Sequence, residues 1–312
     1  MIWGMREKDW QPAYVRLNSS GELAERAKAL YSIFKSCRLC PRRCGVNRLK
    51  GEVGICGAIS RVKVASAHAH FCEEPPLVGF YGSGTIFFSH CNLRCNYCQN
   101  WEISHRGDGS FLSDEALGRV MLRLQSLRCQ NINLVTPTHC VPNIVQALRS
   151  AVALGLRIPL VYNCGGYEPL EVLELLDGIV DIYLADFKYT DPSMAETYSC
   201  GARDYPEVAA AAVAEMHRQV GDLTIGENGV ALRGLMIRHL VLPSNIAGTD
   251  QFVRFVAKKL ARSTFVNLMS QYRPEHEAFQ RPELRRRVTP QEYERAVNWA
   301  RAAGLANVSL QT

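Results

Sequence analysis

Three cysteines stand within eight residues, Cys91-Asn92-Leu93-Arg94-Cys95-Asn96-Tyr97-Cys98. Three thiolates on one tight loop can bind three corners of an iron–sulfur cube and leave the fourth iron without a protein ligand, open for chemistry. Four thiolates would close the cluster for electron transfer or structure. Asn92 and Asn96 suit a tight loop, and Tyr97 offers a flat apolar face beside the thiols. A zinc knuckle and three buried free cysteines are the alternatives.

A second set lies upstream: Cys37, Cys40 and Cys44, with Cys56 inside Gly51-Glu52-Val53-Gly54-Ile55-Cys56-Gly57. Four such thiols make a complete tetrathiolate set, and the glycines let the backbone wrap a small ion or cluster. Zinc and a second [4Fe-4S] cluster both accept four thiolates; reduced cysteines in a small hairpin are the alternative. So Gly-rich a segment buries little apolar surface, which favours a metal staple.

The string from Cys91 to Trp101, with an aromatic before the last cysteine, resembles the signature of the radical S-adenosylmethionine (SAM) superfamily, and within it proteins similar to pyruvate formate-lyase activating enzyme. The resemblance implies that Cys91, Cys95 and Cys98 hold a [4Fe-4S] cluster whose open iron chelates SAM. Reductive cleavage then gives methionine and a 5′-deoxyadenosyl radical that takes hydrogen from a substrate. It also implies a low-potential electron donor, flavodoxin or ferredoxin.

In parallel α/β folds ligands sit at the C-terminal ends of the strands. After the second core strand comes Thr136-Pro137-Thr138-His139, where the activating enzymes carry a Gly-Gly-Glu-like turn for the SAM amino group. With that turn missing, Thr136, Thr138 or a backbone carbonyl is left for the role, and His139 reads as a proton carrier or a plain polar loop residue. Asn163-Cys164-Gly165-Gly166 resembles the family's Asn-x-Gly segment, which implies Asn163 in the SAM pocket. Asp186 and Lys188, two apart on an extended backbone, point to one side and suit a zwitterion. They match the family's SAM-binding Asp-x-Lys; a structural ion pair is the alternative. Of the adjacent Arg238 and His239 only one can face inward, and the resemblance favours His239 as a ribose contact. Gln271, Tyr272 and Arg273 are expected at the substrate mouth.

The elements that must position these groups read as follows. Apolar spacing predicts a helix over 22–34, a strand or hairpin over 61–72 and a short buried strand over 85–89. Helices follow at 117–127 behind Ser113, 142–154, 170–176, 206–220 and 250–261, interleaved with strands at 132–135, 158–162, 182–185, 235–242 and 265–269. Thr289-Pro290-Gln291-Glu292 is a capping box opening a last helix to about residue 303. Residues 1–20 carry no clear period. Repeated strand–helix units imply an α/β fold with a parallel sheet curved into a partial barrel. Six units agree with the (β/α)6 TIM-type partial barrel that the resemblance implies. The division expected is 1–80, an N-terminal extension with the cysteine-rich unit, and 81–312, the barrel.

The chain has 312 residues, 47% hydrophobic and 21% charged, an ordinary globular composition. Its apolar runs are too short to span a bilayer and no signal-peptide pattern opens it, so no membrane partner is expected. Twelve cysteines clustered in metal-type spacings point to a reducing, cytoplasmic setting rather than a disulfide scaffold. The net charge of +6 is spread out, and nucleic acid is not expected as a partner. Three functions remain: an activating enzyme acting on a glycine of a partner protein (a glycyl radical enzyme), a radical SAM modification of a small molecule or peptide, or an iron–sulfur carrier or metal-stabilised binding module. Asp186 and Lys188 count against the third, since a carrier needs no SAM pocket.

Overall fold

Strand and helix signals alternate along the sequence, and the chain folds accordingly into a curved sheet with helices outside it. The computed structural model describes residues 2–5 and 10–311. Strand β1 (Ile2–Met5) precedes helices α1 (Ala13–Ser20) and α2 (Glu22–Ser32), then β2 (Lys63–His70), α3 (Pro75–Val78), β3 (Ser83–Phe88) and β4 (Ser110–Phe111). The alternation proper runs α4 (Asp114–Ser126), β5 (Ile132–Val135), α5 (Val141–Ala153), β6 (Leu160–Cys164), α6 (Leu170–Leu176) and β7 (Ile182–Asp186). It continues with α7 (Pro192–Tyr198), α8 (Tyr205–Val220), β8 (Thr224–Gly226), β9 (Ala231–Leu240), α9 (Thr249–Lys259), β10 (Phe265–Met269), α10 (Pro290–Ala302) and β11 (Val308–Gln311).

The six expected core strands, β3, β5, β6, β7, β9 and β10, pair in parallel in that order, and β11 adds a seventh beyond β10. At the other edge β2 pairs antiparallel with β3 and carries β4, so the sheet is extended there instead of closing onto β10. This is the partial barrel read from the strand–helix count. The core strands are buried on both faces, as parallel strands covered by helices must be. Tyr162, Tyr183, Leu235 and Val266 point outward into the helix layer. Val161, Ile182, Met236 and Phe265 point inward and form a separate cluster with Leu77 of α3. Asn131 Nδ2 donates to Leu77 O at 2.8 Å, and Gln130 N to Gly82 O at 2.9 Å, so α3 plugs the end where the strands begin. The opposite end stays open to ligands.

The expected boundary at residue 80 does not separate two cores. Tyr14, Leu23, Leu30 and Phe34 join the same cluster as the barrel helices, and β2 is part of the barrel's sheet. Tyr14 Oη donates to Ile158 O at 2.7 Å, and Asp181 accepts from both Ala13 N and Leu160 N. Residues 13–35 therefore complete the helix layer. The caps follow the sequence. Ser113 Oγ accepts from Ala116 N, and Thr289 and Glu292 bond each other's backbone N–H groups at the start of α10. No described helix is long and apolar enough to cross a membrane.

Candidate active site at the open end of the barrel

The thiol loop leaves the C-terminal end of β3 through two non-glycine residues with positive φ, His90 (77°) and Arg94 (49°). Such backbone persists only where neighbours over-determine it. Asn92 Nδ2 donates to Tyr167 O at 2.9 Å, Asn96 N to Tyr198 O at 3.0 Å, and Arg42 Nε to Asn92 O at 3.0 Å. The two asparagines thus fasten the loop to the next segments of the barrel. A single π-helical turn, Glu102–Arg106, follows.

Cys91, Cys95 and Cys98 line one cavity of about 160 Å³ together with Thr136, Asp186 and Lys188. Asn163, Gly165 and Arg238 complete its walls. A second cavity of about 160 Å³ shares Asp186, Lys188 and Arg238 and extends to Gln99 and Gln271. The larger described cavity, about 410 Å³ between Trp10, Gln130 and Asn228, lies at the other end of the strands, away from the thiols.

Charge in the cleft centres on Asp186. Lys188 Nζ donates to its Oδ2 at 2.7 Å, and Arg238 Nε to its Oδ1 at 2.8 Å. Arg238 also donates to Asn163 Oδ1 at 2.7 Å. Burial works to raise the Asp186 carboxyl, but Arg238 and Lys188 outweigh it and hold the group down at about 2. Burial likewise disfavours the Lys188 charge, and Asp186 with Cys95 more than restores it. The pair is therefore ionised at neutral pH. Lys188 spends one of its three N–H bonds on Asp186 and has donors left for a ligand anion.

The thiols have hydroxyl partners. Ser199 Oγ lies 3.0 Å from Cys95 Sγ, and Ser104 Oγ donates to Cys98 Sγ at 3.2 Å. Ser199 is held in turn by Tyr189, whose hydroxyl donates to Tyr97 Oη at 2.6 Å. Burial pushes the Cys91 thiol up to about 12 and raises that of Cys95, so metal binding here must displace protons. Among the described residues no three His, Cys, Asp or Glu side chains already converge at metal-ligand geometry, so binding would turn these thiols on their loop. The donor set fits three corners of an iron–sulfur cube: three soft thiols on one anchored loop, facing a cavity with both signs of charge on its far wall.

The expected site residues fall into two groups. Thr136 (φ 59°), Asn163, Asp186 and Lys188 reach the cavity with the thiols, and Gln271 lines its extension. Tyr97 is buried behind the thiols, its ring 6.0 Å from that of Tyr272. His239 faces outward, a correction: its ring stacks on Phe252 at 4.2 Å, its Nδ1 is 2.6 Å from Phe187 O and its Nε2 is 2.9 Å from Thr249 Oγ1. Arg238 takes the inward position instead. His139 lies behind the loop, Nε2 2.7 Å from Ser89 O, with its pKa lowered to about 3 by burial and by Arg48; it carries no proton to the cavity. Thr138 donates to the buried Glu168 at 2.6 Å, away from the cleft. Tyr272 is a core residue whose hydroxyl donates to Leu284 O, and Arg273 is exposed beside Glu275.

Several groups of the site carry no sequence signal. Tyr205 Oη donates to Gly165 O at 2.9 Å and accepts from Lys188 N at 2.8 Å, joining two strand-end turns. A Cβ on Gly165 would meet Leu93 Cδ1 at 2.7 Å, and Gly166 (φ 76°) packs on Asp186 O, so both glycines serve loop packing. Glu73 and Glu74 reach Arg238 from the turn after β2, at 3.8 and 3.9 Å. Only the register of Asp186 against Arg238 across β7 and β9, invisible without the fold, identifies Arg238 as the hub.

The model of the radical SAM superfamily matches residues 85–230, the stretch that holds the thiol loop, Asn163, Asp186 and Lys188. Uncharacterized protein MJ0674 of Methanocaldococcus jannaschii is 32% identical over 296 residues, covering 92% of this chain and 80% of that protein. A shorter match, 35% over 81 residues, joins 22% of this chain to 24% of Uncharacterized protein MJ0808 from the same organism. A radical SAM methyltransferase from Sphaerobacter thermophilus aligns over 98% of this chain and 95% of its own, with TM-score 0.48 and 14% identity. The thiol loop, the matched superfamily model and the near-full-length relative have one consequence: the chain belongs to the radical SAM superfamily.

Proposed function

We propose that this chain binds SAM across its barrel mouth and abstracts hydrogen from a substrate, with a glycine of a partner protein, in the manner of an activating enzyme, as the first candidate. Superfamily membership implies the coarser part, reductive SAM cleavage with an iron–sulfur cluster. The observation that carries the reading is one cleft holding three thiols opposite the Asp186–Lys188–Arg238 array. Cys91, Cys95 and Cys98 would hold a [4Fe-4S] cluster, which when reduced supplies the electron that splits SAM to the 5′-deoxyadenosyl radical.

The protein's own groups bind and orient. Lys188 suits the methionine carboxylate of SAM, and Asp186 its amino group. Arg238 keeps the Asp186 carboxylate ionised and aimed by pulling it from the other side, while Asn163 fixes the guanidinium. Tyr205 holds the backbone on which Lys188 and Gly165 stand. A low-potential flavodoxin or ferredoxin would supply electrons in a cytoplasmic setting.

The second reading, a small polar substrate, is favoured by the barrel interior, where Glu73, Glu74 and Asn133 are buried beside or below Arg238. Anaerobically reconstituted, reduced protein should release 5′-deoxyadenosine and methionine from SAM. Electron paramagnetic resonance after incubation with a glycyl radical enzyme separates the readings: a glycine-centred doublet supports the first, and its absence with continued SAM cleavage supports the second. Release unchanged in a Cys91→Ala/Cys95→Ala/Cys98→Ala variant would sink both.

A further inference from the structure

The loop between α2 and β2 brings the other four cysteines together with almost no regular structure. Cys37 N donates to Val46 O and Gly45 N to Cys37 O, each at 3.0 Å, which folds Cys37, Cys40 and Cys44 into a hairpin. Gly57 N donates to Gly54 O at 3.0 Å and sets Cys56 in a separate tight turn. The two pieces touch: a Cβ on Gly54 would meet Cys44 Sγ at 2.5 Å. Within the hairpin Cys44 Sγ lies 4.0 Å from Cys37 O and Arg43 N donates to Cys40 O at 3.0 Å, so the thiols of the hairpin and the Cys56 turn share one neighbourhood. Cys37, Cys40 and Cys56 are buried, while Leu49, Val53 and Ile55 around them are 50, 56 and 45% exposed. The loop thus buries its thiols and Leu39 and leaves three of its larger apolar side chains largely in water. Apolar packing of Leu39 alone does not account for such a shape; a metal would, drawing together four thiols that lie near one another without yet converging.

The loop is also latched to the active site. Arg42, between Cys40 and Cys44, donates to Asn92 O at 3.0 Å, Ser199 O at 2.8 Å and Cys200 O at 2.7 Å. Gly57, next to Cys56, lies against the ring of His90, next to Cys91. We propose that Cys37, Cys40, Cys44 and Cys56 hold a thiolate-bound metal centre of their own, zinc or a second iron–sulfur cluster, seated behind the active-site loop and fixing that loop through Arg42. All four thiolates are spent on the metal, so the centre offers no open position for substrate. It does not depend on SAM chemistry.

The test uses the full chain carrying Cys91→Ala, Cys95→Ala and Cys98→Ala, purified anaerobically, with zinc, iron and sulfide measured per chain and folding followed by circular dichroism. Zinc near one per chain, or iron near four with sulfide, is the expected result and tells the two metals apart. Adding Cys44→Ser should lower that metal at least tenfold. Adding Cys140→Ser, a neighbour of Cys56 outside the set, should leave it unchanged. Folded triple variant without zinc or iron, or a Cys44→Ser chain that keeps its full complement, overturns the proposal. In an otherwise unchanged chain Cys44→Ser should lose the same complement and retain the active-site cluster signal, so the outcome does not hang on the triple variant folding.

Discussion

The loop from Cys91 to Cys98 leaves the barrel sheet at its open end and faces a cavity, whereas the loop from Cys37 to Cys56 lies behind it and meets mostly backbone. Opposite the first stand Asn163, Asp186, Lys188 and Arg238, contributed by three different strands or the turns after them. Against the second stand carbonyls and a bridging arginine. The ligand type is the same in both. What differs is the number of thiols and the presence of ionisable groups at strand ends across a cavity, and those two facts would separate a reactive centre from the closed one proposed for the second loop.

The comparison breaks most sharply by deleting thiols. Any one of Cys91→Ala, Cys95→Ala or Cys98→Ala should reduce 5′-deoxyadenosine release to background in a single-turnover assay. Cys44→Ala should lower the yield without abolishing it, because the metal proposed for its loop would sit outside the cleft. Equal losses from both loops would erase the distinction.

Lys188→Ala comes next. It should weaken SAM binding by about 1.5–3 kcal/mol, on the order of 10- to 150-fold, as for a hydrogen bond to a charged group. Iron content should not change. Isothermal calorimetry reads this directly, and unchanged affinity would make Asp186–Lys188 a structural pair. His239→Ala, by contrast, should lower stability through its lost packing on Phe252 while the affinity of folded protein for SAM stays the same.

Arg42→Ala removes the bonds that tie one loop to the other and should cost about 1–2 kcal/mol in denaturant unfolding, tempered by the half-exposed position of the side chain. The spectroscopic signal of the active-site cluster should broaden in the same variant. If stability falls and the signal does not move, the latch is structural only. Ser199→Ala is a smaller perturbation still. Hydrogen bonds to cluster sulfurs set its potential, and losing one disfavours the reduced, more negative form. Its midpoint should therefore move to more negative values, and Tyr189→Phe, which leaves the Ser199 proton to Cys95 Sγ alone, should not move it in that direction.

A last test reads stability against pH through Glu168, buried beside both regions. Burial raises its carboxyl to about 8, against the pull of hydrogen bonds from Thr138 and Tyr162. A carboxyl whose folded pKa lies above its unfolded value of about 4.3 binds more protons when folded, so its contribution falls as pH rises from about 4 to 8. Glu168→Gln should flatten that part of the stability–pH curve. An unchanged slope between pH 5 and 8 would place the titration elsewhere.

Local rules carried much of this molecule. Cysteine spacing marked both thiol loops, because ligands on one tight turn are close in sequence by necessity. Apolar periodicity found the six core strands and most of the helices between them, missing the short α7, and the capping box at Thr289 and Glu292 formed as spaced. The fold was also needed wherever a decision depended on partners far along the chain. Both faces of β9 are buried, so hydrophobic pattern could not say that Arg238 turns inward and His239 outward; the pairing of Arg238 with Asp186 decided it. Helix α1 has no clear period of its own, and α2 and β2, legible as elements, showed no sign of belonging to the barrel; all three joined it because its sheet edge and helix layer had room for them. Tyr205, Ser199 and Arg42 entered the site only through contacts spanning 17 to 158 residues. Sequence determined which atoms can bind metal and charge; the tertiary structure decided which of them face one another, since only folding brings strand ends from across the chain around one cavity.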